Sequence, residues 1–297
     1  WVADRMRDRG ESVEIVEITT RGDAQQSGPI SAIVESPGGP ASGGQGVFTK
    51  ELQAALLDGR VDLAVHSLKD LPTVSVEGLM LGAVPERAAV ADVLISPVAR
   101  TIDELPEGAR VGTGSFRRRA QVLSRRPDLR LADLRGNLDT RLRKLDEGEH
   151  DAILLAEAGL ARLGWTERLA GRLDPADFLP APGQGALGVE CRVDDQATLA
   201  ALAPLDDAAT HRAVAAERAA LRRLEGGCLA ALGAWARFAR AAELRLSVVV
   251  LSEDGAKRLD ADRSAACDSP AEAVALGEAI ADDLRSRGAV ELLRPRA

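Results

Sequence analysis

Short apolar runs alternate with amphipathic stretches of about ten residues between positions 92 and 164. The runs predict strands over 93–95, 110–112, 129–134 and 152–155, and the apolar spacing predicts helices over 116–126, 138–147 and 156–163. Ser115 and Asn137 are candidate N-caps. Strands and helices that alternate in this way are typical of an α/β unit with a mostly parallel sheet.

The part of the chain before this unit contains fewer elements. Alternation around Val13 and Ile15 predicts a strand over 12–18, Thr49 is a candidate cap for a helix through Leu57, and an apolar strand follows over 61–66. Gly, Pro, Ser and Gln dominate residues 22–46, which predicts a mobile lid or a disordered insertion. A strand over 186–190, after a turn-rich link, is expected to return to this first unit.

The pattern changes again beyond residue 207. It predicts a long helix over 210–224, a strand over 244–251 and a second helix over 270–286. Helices and strands no longer alternate regularly here, which favours a small separate α+β domain.

Composition excludes several classes of protein. Of 297 residues, 45% are hydrophobic and 28% are charged, as in ordinary globular proteins. No apolar run approaches the ~18 residues of a membrane span. Cys191, Cys228 and Cys267 are distant and odd in number, which argues against a disulfide framework and a zinc cluster and favours the cytoplasm.

Charge narrows the choice of ligand. A net charge of −8 and an aromatic content of 2% disfavour binding to nucleic acid or to an anionic membrane. Residues 110–144 nevertheless hold ten Arg and one Lys against three Asp, a local balance of +8. Arginines concentrated without aromatic residues indicate a small polyanion, bound through guanidinium–carboxylate or guanidinium–phosphate pairs.

Polar or glycine-rich turns follow three of the predicted strands: Ser67-Leu68-Lys69-Asp70, Gly112-Thr113-Gly114-Ser115 and Arg135-Gly136-Asn137. In open α/β sheets ligands bind at the carboxyl ends of strands, and helix N-termini attract anions. Arg117, Arg118 and Arg141 fall in first helical turns, where a cation opposes the helix dipole, so an anionic ligand is expected there. The alternatives are a turn-capping role for Asp70, which its spacing alone favours, and a solvated basic face.

Other candidates have more ordinary explanations. Arg125, Arg126 and Arg143 lie later on their helices and are expected to be solvated. Gly226 and Gly227 permit a left-handed turn that presents Cys228 on a loop, although a free cysteine is more often buried and inert.

Five stretches together resemble the porphobilinogen deaminase family, also called hydroxymethylbilane synthases: AVHSLKDLPT (64–73), VGTGSFRRRAQ (111–121), DLRGNLDTRL (133–142), LPAPGQGALGVECR (179–192) and LEGGC (224–228). The resemblance implies two domains like type II periplasmic binding proteins with a cleft between them, and a small C-terminal α+β domain. The expected boundaries are 1–86 with 186–204, 91–180, and 207–297.

The resemblance also implies the chemistry. Members of the family join four porphobilinogen units into the linear tetrapyrrole hydroxymethylbilane, release ammonia at each step, and prime the chain with a covalent dipyrromethane cofactor. Asp70 matches the family's catalytic aspartate and Cys228 its attachment cysteine, while Gln184 matches a hinge-region position. Positions that contact the cofactor or the carboxylates are matched by Lys69, Ser67, Ser115, Arg117, Arg118, Arg135 and Arg141.

Three departures from the family pattern bear on activity. The family has a Thr-Arg-x-Ser-x-Leu-Ala segment ahead of the position of Trp1, so the chain is expected to lack its natural start and, with it, an Arg and a Ser of the cleft. Gln45 stands where many members have a lid lysine, and Leu229-Ala230-Ala231 follows Cys228 in place of the usual proline-containing stretch. The expected protein is a cytoplasmic monomer that acts on porphobilinogen without metal, membrane or nucleic acid. The rival hypotheses are a two-lobed anion-binding protein without catalysis and an inactive truncated deaminase.

Overall fold

The computed structural model describes residues 1–20, 49–226, 230–240 and 242–293. The predicted lid over 22–46 and the predicted attachment residue Cys228 therefore lie outside the described residues.

The described residues form nine helices and eleven strands, numbered here along the chain. The helices are α1 Val2–Arg7, α2 Lys50–Leu57, α3 Phe116–Arg125, α4 Leu138–Asp146, α5 Glu157–Arg162, α6 Gln196–Leu202, α7 Ala208–Arg223, α8 Pro270–Ser286 and α9 Ala289–Leu293. The strands are β1 Leu63–Ser67, β2 Leu79–Ala83, β3 Asp92–Ile95, β4 Arg110–Gly112, β5 Arg130–Ala132, β6 Ala152–Ala156, β7 Gly171–Arg172, β8 Leu187–Arg192, β9 Leu232–Arg240, β10 Glu243–Leu251 and β11 Arg258–Ala266.

The first sheet has the strand order β1-β8-β2, and both pairs are antiparallel. Leu63 lies opposite Cys191 and Ser67 opposite Leu187. The prediction that the strand after the turn-rich link returns to this sheet is thus confirmed. The apolar side of this sheet packs in one cluster with Val2 and Met6 of α1. The strand end of β1, where Asp70 follows, is held at a fixed place by the sheet.

The second sheet has the order β5-β4-β6-β3-β7. Its β4 pairs in parallel with β5 and β6, but β3 pairs antiparallel with β6 and β7. The prediction of a mostly parallel sheet is therefore wrong for the half of the sheet formed by β6, β3 and β7. Only the β4–α3–β5 and β5–α4–β6 connections carry the crossover helix that parallel neighbours require. The two crossovers bring the turns after β4 and β5 to one edge.

The third sheet is the antiparallel meander β9-β10-β11 with α7 and α8 packed on one face. The helices over 208–223 and 270–286 and the strand over 243–251 match their predictions closely. Ser269 caps α8 in a full capping box with Glu272. This unit is α+β, as predicted.

The strand predicted over 12–18 is not present in the structure. No ladder pairs these residues with any described strand, and Ile15 and Val16 are exposed. Alternation alone does not make a strand, because its backbone groups need a neighbouring strand as partner.

Candidate functional site

Asp70 ends a single 3₁₀ turn, Leu68–Asp70, that follows β1 directly. Leu68 is fully buried and anchors the turn, Lys69 is half-buried, and Asp70 is exposed. In the part of the chain that is described, the Asp70 carboxylate makes no hydrogen bond or salt bridge. Asp70 is therefore not a turn cap, and its charge is available to a ligand.

The link before β8 packs against this turn. Gly183 and Gly185 both have positive φ, and a Cβ on Gly183 would lie 3.2 Å from the backbone of Leu68 and Lys69. The Leu68 amide donates to the Ala186 carbonyl at 3.0 Å. Glycine at these positions thus permits the close approach that fixes the turn. The Gln184 side chain points the other way, and it donates to the Val90 carbonyl at 2.7 Å and to Asp92 at 2.9 Å.

Asp92 opens β3 and is completely buried. Its Oδ2 accepts from Arg117 Nη1 at 2.6 Å, and its Oδ1 accepts from Arg118 Nε at 3.0 Å and Nη2 at 2.7 Å. Arg117 also donates to the Leu179 carbonyl and Arg118 to that of Leu154. One carboxylate therefore serves two buried guanidiniums, whose exposed fractions are 3% and 6%.

The electrostatics of this cluster favour an anion. Burial raises the pKa of Asp92, but the charges and hydrogen bonds of Arg117 and Arg118 outweigh it and hold the pKa far below its usual range. Two guanidiniums on one carboxylate leave one net positive charge under the site. Burial lowers the pKa of Lys69, and Arg118 lowers it further, whereas Asp70 raises it. The negative charge of a carboxylate ligand would favour the charged form of Lys69 and so raise its pKa.

The glycine-rich turn after β4 leads into α3. As predicted, Ser115 is the N-cap, and its Oγ accepts from the Arg118 amide at 3.4 Å. The Ser115 amide donates to the Thr113 hydroxyl at 3.2 Å. The half-buried Ser115 keeps its hydroxyl proton free to donate to a ligand oxygen.

Arg135 and Arg141 flank the next turn, where Asn137 caps α4 as predicted. Arg141 Nε donates to the Gly136 carbonyl at 2.8 Å, and the buried Nε of Arg135 has no partner. Burial lowers the pKa of both, and for Arg141 the charge of Arg118 lowers it further while Asp70 raises it. Neither forms a salt bridge within the described ranges. These two cations lack the counter-ion that Arg117 and Arg118 have.

The structure therefore brings together most of the predicted site. The charges of Asp70 and Arg118 act on the pKa of both Lys69 and Arg141, and the charge of Arg135 also lowers that of Arg141. Ser67 lies half-buried at the base of the turn, opposite Leu187. Cys228 lies outside the described residues. After the end of α7, Glu225 has a φ of 57° and the Gly226 amide donates to the Leu221 carbonyl. The left-handed residue expected at a glycine is thus Glu225.

The prediction that Arg126 is solvated is wrong. Arg126 forms a bidentate pair with Asp128 and donates to the carbonyls of Ile102, Asp103 and Leu105, so it is structural. Arg125 and Arg143 are exposed, with Asp103 and Glu147 as partners.

Sequence reasoning missed four residues at this site. Asp92 is one, and its only signal is a lone acid at the start of a buried run. Arg162 donates to the Gly185 carbonyl at 3.2 Å. Glu217 of α7 is fully buried and accepts from Arg87 at 2.7 Å and from the Gly183 amide at 2.7 Å. Its neighbour Arg218 donates to the backbone around Asp70.

Among the described residues there is neither a candidate membrane span nor a candidate metal cluster. No described helix combines the length and apolar character needed to cross a bilayer. No three His, Cys, Asp or Glu side chains in these ranges are grouped as metal ligands.

Two family models match the chain. "Porphobilinogen deaminase, dipyromethane cofactor binding domain" matches residues 1–200, and "Porphobilinogen deaminase, C-terminal domain" matches residues 211–286. A porphobilinogen deaminase of Desulforudis audaxviator is 49% identical over 295 residues, which cover 99% of this chain and 91% of that protein. That of Syntrophobacter fumaroxidans is 46% identical over 284 residues, with coverages of 96% and 88%.

The matched solved structures include a periplasmic binding protein and a lipoprotein. A Salmonella typhimurium periplasmic binding protein of high arginine specificity gives a TM-score of 0.33 at 14% identity, covering 53% of this chain and 70% of that one. A YaeC-family lipoprotein of Enterococcus faecalis gives 0.35 at 17% identity, with coverages of 52% and 74%.

Asp92→Asn should destabilise the protein by about 3–5 kcal/mol, because it leaves two buried guanidiniums without a charged partner. Denaturant unfolding of both proteins measures this difference. The matched control is Asp103→Asn, which removes the exposed partner of Arg125 and should cost less than about 1 kcal/mol. Equal losses for the two variants would contradict the role assigned to Asp92.

Proposed function

The chain belongs to the porphobilinogen deaminase family, and on that premise we propose that Asp70 is the carboxylate at its reacting centre. The enzyme is a transferase that joins four porphobilinogen units into the linear tetrapyrrole hydroxymethylbilane and releases ammonia with each unit. The observation that carries the assignment is the exposed Asp70 carboxylate, unpaired within the described residues, beside the cations Lys69 and Arg141. A binding protein without catalysis has no need for a carboxylate placed among the cations that bind its anionic ligand.

Asp70 acts on the charge that the reaction creates. The aminomethyl C–N bond of porphobilinogen breaks with its electron pair on nitrogen, which leaves as ammonia after taking a proton. The pyrrole nitrogen supplies electrons and becomes positively charged, a C–C bond forms to the acceptor ring, and that ring loses its α-proton. A fixed carboxylate stabilises this positive charge, and it can pass to the leaving amine a proton that it has first accepted.

Lys69, Arg135 and Arg141 are the proposed partners of the acidic side chains. Each porphobilinogen ring carries an acetate and a propionate, and a guanidinium pairs well with a carboxylate through two parallel hydrogen bonds. The orphaned Nε of Arg135 and the lack of a salt bridge to Arg141 in the described ranges fit such ligands. The half-buried Ser67, at the end of β1, and Ser115, after β4, offer hydroxyl donors.

Arg117, Arg118 and Gln184 support the site from below. Their hydrogen bonds to Asp92 and to backbone carbonyls hold the cluster together, and we assign to Arg117 and Arg118 mainly the net positive potential at the site. The family resemblance implies that Arg117 and Arg118 contact the cofactor or the carboxylates directly. This assignment gives them a mainly indirect role instead.

The residues present fit the dipyrromethane cofactor of the family, whose four acidic side chains need several cations. We propose that Cys228 attaches it by a thioether and that Lys69, Ser115, Arg135 and Arg141 bind its carboxylates. When bound, the cofactor supplies the pyrrole carbon to which the first substrate unit is joined.

The domain arrangement is a proposal too: 1–86 with 186–204, 91–180, and 207–297. The separate family models for residues 1–200 and 211–286 support a boundary near 207. We further propose that the enzyme works as a cytoplasmic monomer, since each predicted functional group comes from one chain.

Asp70→Asn should leave the fold intact and lower turnover by at least about 10²–10³, because it removes a preorganised charge from the reacting centre. The measurement is the rate of porphobilinogen consumption by the full chain. Glu77→Gln is the control, since Glu77 is an exposed carboxylate of the same domain and should be neutral. If the Asn variant keeps most of its activity, Asp70 does not do the chemistry.

Arg141→Gln should raise KM for porphobilinogen about tenfold or more, because one charge-assisted hydrogen bond contributes about 1.5–3 kcal/mol. Partly elongated enzyme complexes should accumulate, as native mass spectrometry would detect. Arg143→Gln lies on the same helix, loses only an exposed pair with Glu147, and should behave as the parent. Equal sensitivity of both positions would remove Arg141 from the cleft.

The denatured protein should be heavier than its sequence mass by a two-pyrrole unit, because a thioether survives unfolding. Proteolysis should place this excess on the peptide that contains Cys228, and Cys228→Ala should abolish it. Cys267→Ala is the control, since Cys267 is buried and burial raises the pKa of its thiol. An excess mass on any other peptide would contradict the attachment site.

A further inference from the structure

Arg218 of α7 donates to three backbone carbonyls around Asp70. Its Nη1 lies 3.3 Å from the Leu68 oxygen and 2.9 Å from the Leu71 oxygen, and its Nη2 lies 2.6 Å from the Pro72 oxygen. Lys69 and Asp70 lie between these acceptors. One side chain of the C-terminal unit therefore binds both ends of the turn in the first unit that carries the reacting carboxylate.

The turn is also held by the packing of Leu68 and Leu71 and by two backbone hydrogen bonds. Within it, the Leu71 amide donates to the Leu68 carbonyl at 3.3 Å, and from outside the Ala186 carbonyl accepts from the Leu68 amide. Beyond Leu68, the described residues offer neither Lys69 nor Asp70 a side-chain hydrogen bond. Among the side chains of the described residues, Arg218 is the one that hydrogen-bonds to the backbone on both sides of Asp70.

The charge of Arg218 is directed at these carbonyls. Burial, and the neighbouring charge of Arg222, lower the pKa of Arg218 to about 10, while Glu190 raises it. The side chain is therefore still cationic at neutral pH, and in the described ranges it forms no salt bridge. Hydrogen bonds from a charged donor are stronger than neutral ones, and lysine offers no rigid fork to replace three of them.

The same helix leads towards the attachment segment. α7 ends at Arg223, five residues beyond Arg218, and the chain reaches Gly226 through the left-handed Glu225. One rigid helix thus carries the group that holds the carboxylate turn and the start of the segment with Cys228. Side chains on rigid elements hold reacting groups to within fractions of an ångström.

We propose that Arg218 is a positioning residue for the condensation: by holding the turn, it sets the Asp70 carboxylate at a fixed place beside the cations of the site. The proposal rests on the catalytic role proposed for Asp70. It assigns the C-terminal unit a part in catalysis beyond attachment of the cofactor. Arg218 itself touches neither substrate nor cofactor in this role.

The test compares Arg218→Lys and Arg218→Met with Arg222→Gln. Both Arg218 variants should lower kcat, about tenfold for Lys and about a hundredfold for Met, since misplacement of a reacting group by about 1 Å can cost 10²-fold. KM and the mass of the denatured holoenzyme should stay those of the parent. Arg222 is exposed, one turn further along α7, and its replacement should leave kcat unchanged.

A double-mutant cycle separates this proposal from that for Asp70. If Arg218 acts through Asp70, Arg218→Lys should cost almost nothing further in an Asp70→Asn background. Losses that multiply, or an unchanged kcat for both Arg218 variants, would overturn the positioning role while Asp70 stays catalytic. An active Asp70→Asn protein would instead overturn the role of Asp70. If neither Arg218 variant folds, the residue serves folding and the positioning role is likewise overturned.

Discussion

The pairing of one buried carboxylate with two buried guanidiniums organises this molecule. Asp92 begins a strand of the second sheet, Arg117 and Arg118 begin the helix beside it, and Gln184 joins them from the link that returns to the first sheet. Cations at a helix N-terminus oppose the helix dipole, and the buried carboxylate offsets this cost. Because two guanidiniums share one carboxylate, the cluster keeps a net positive charge. The neighbouring cations Lys69, Arg135 and Arg141 add to this positive charge.

Local signals accounted for the elements that sequence could predict. Ser115 and Asn137 mark helix starts that the structure reproduces, because a cap acts within four residues. The strands β2, β7, β9 and β11 were missed. β11 is mostly polar and exposed, and it is a strand because β10 offers it nine paired positions. The alternation over 12–18 failed for the opposite reason, since no described strand pairs with it.

The site shows the same division between local and long-range information. The turns that carry Asp70, Ser115 and Arg135 could be found from sequence, since strand ends and glycines mark them. Which arginines are already paired could not be found, because the partner of Arg117 is 25 residues upstream. Arg218 lies 146 residues from the Pro72 carbonyl that it binds, and no local pattern distinguishes it from Arg222 or Arg223. The local charge and the position of the arginines after strand ends predict that an anion binds. The tertiary structure determines which of these cations lack a protein partner and can pair with the anion.

The place of β8 in the first sheet has a consequence for the order of folding. This strand lies between β1 and β2, yet the ribosome makes it about a hundred residues after β2, roughly 5–20 s later at usual rates of synthesis. Until then β1 and β2 have no common neighbour, and their open edges invite pairing with other chains. The second sheet is complete by residue 172 and can form first, so the nascent enzyme builds its arginine-rich half before the turn with Asp70 gains its support.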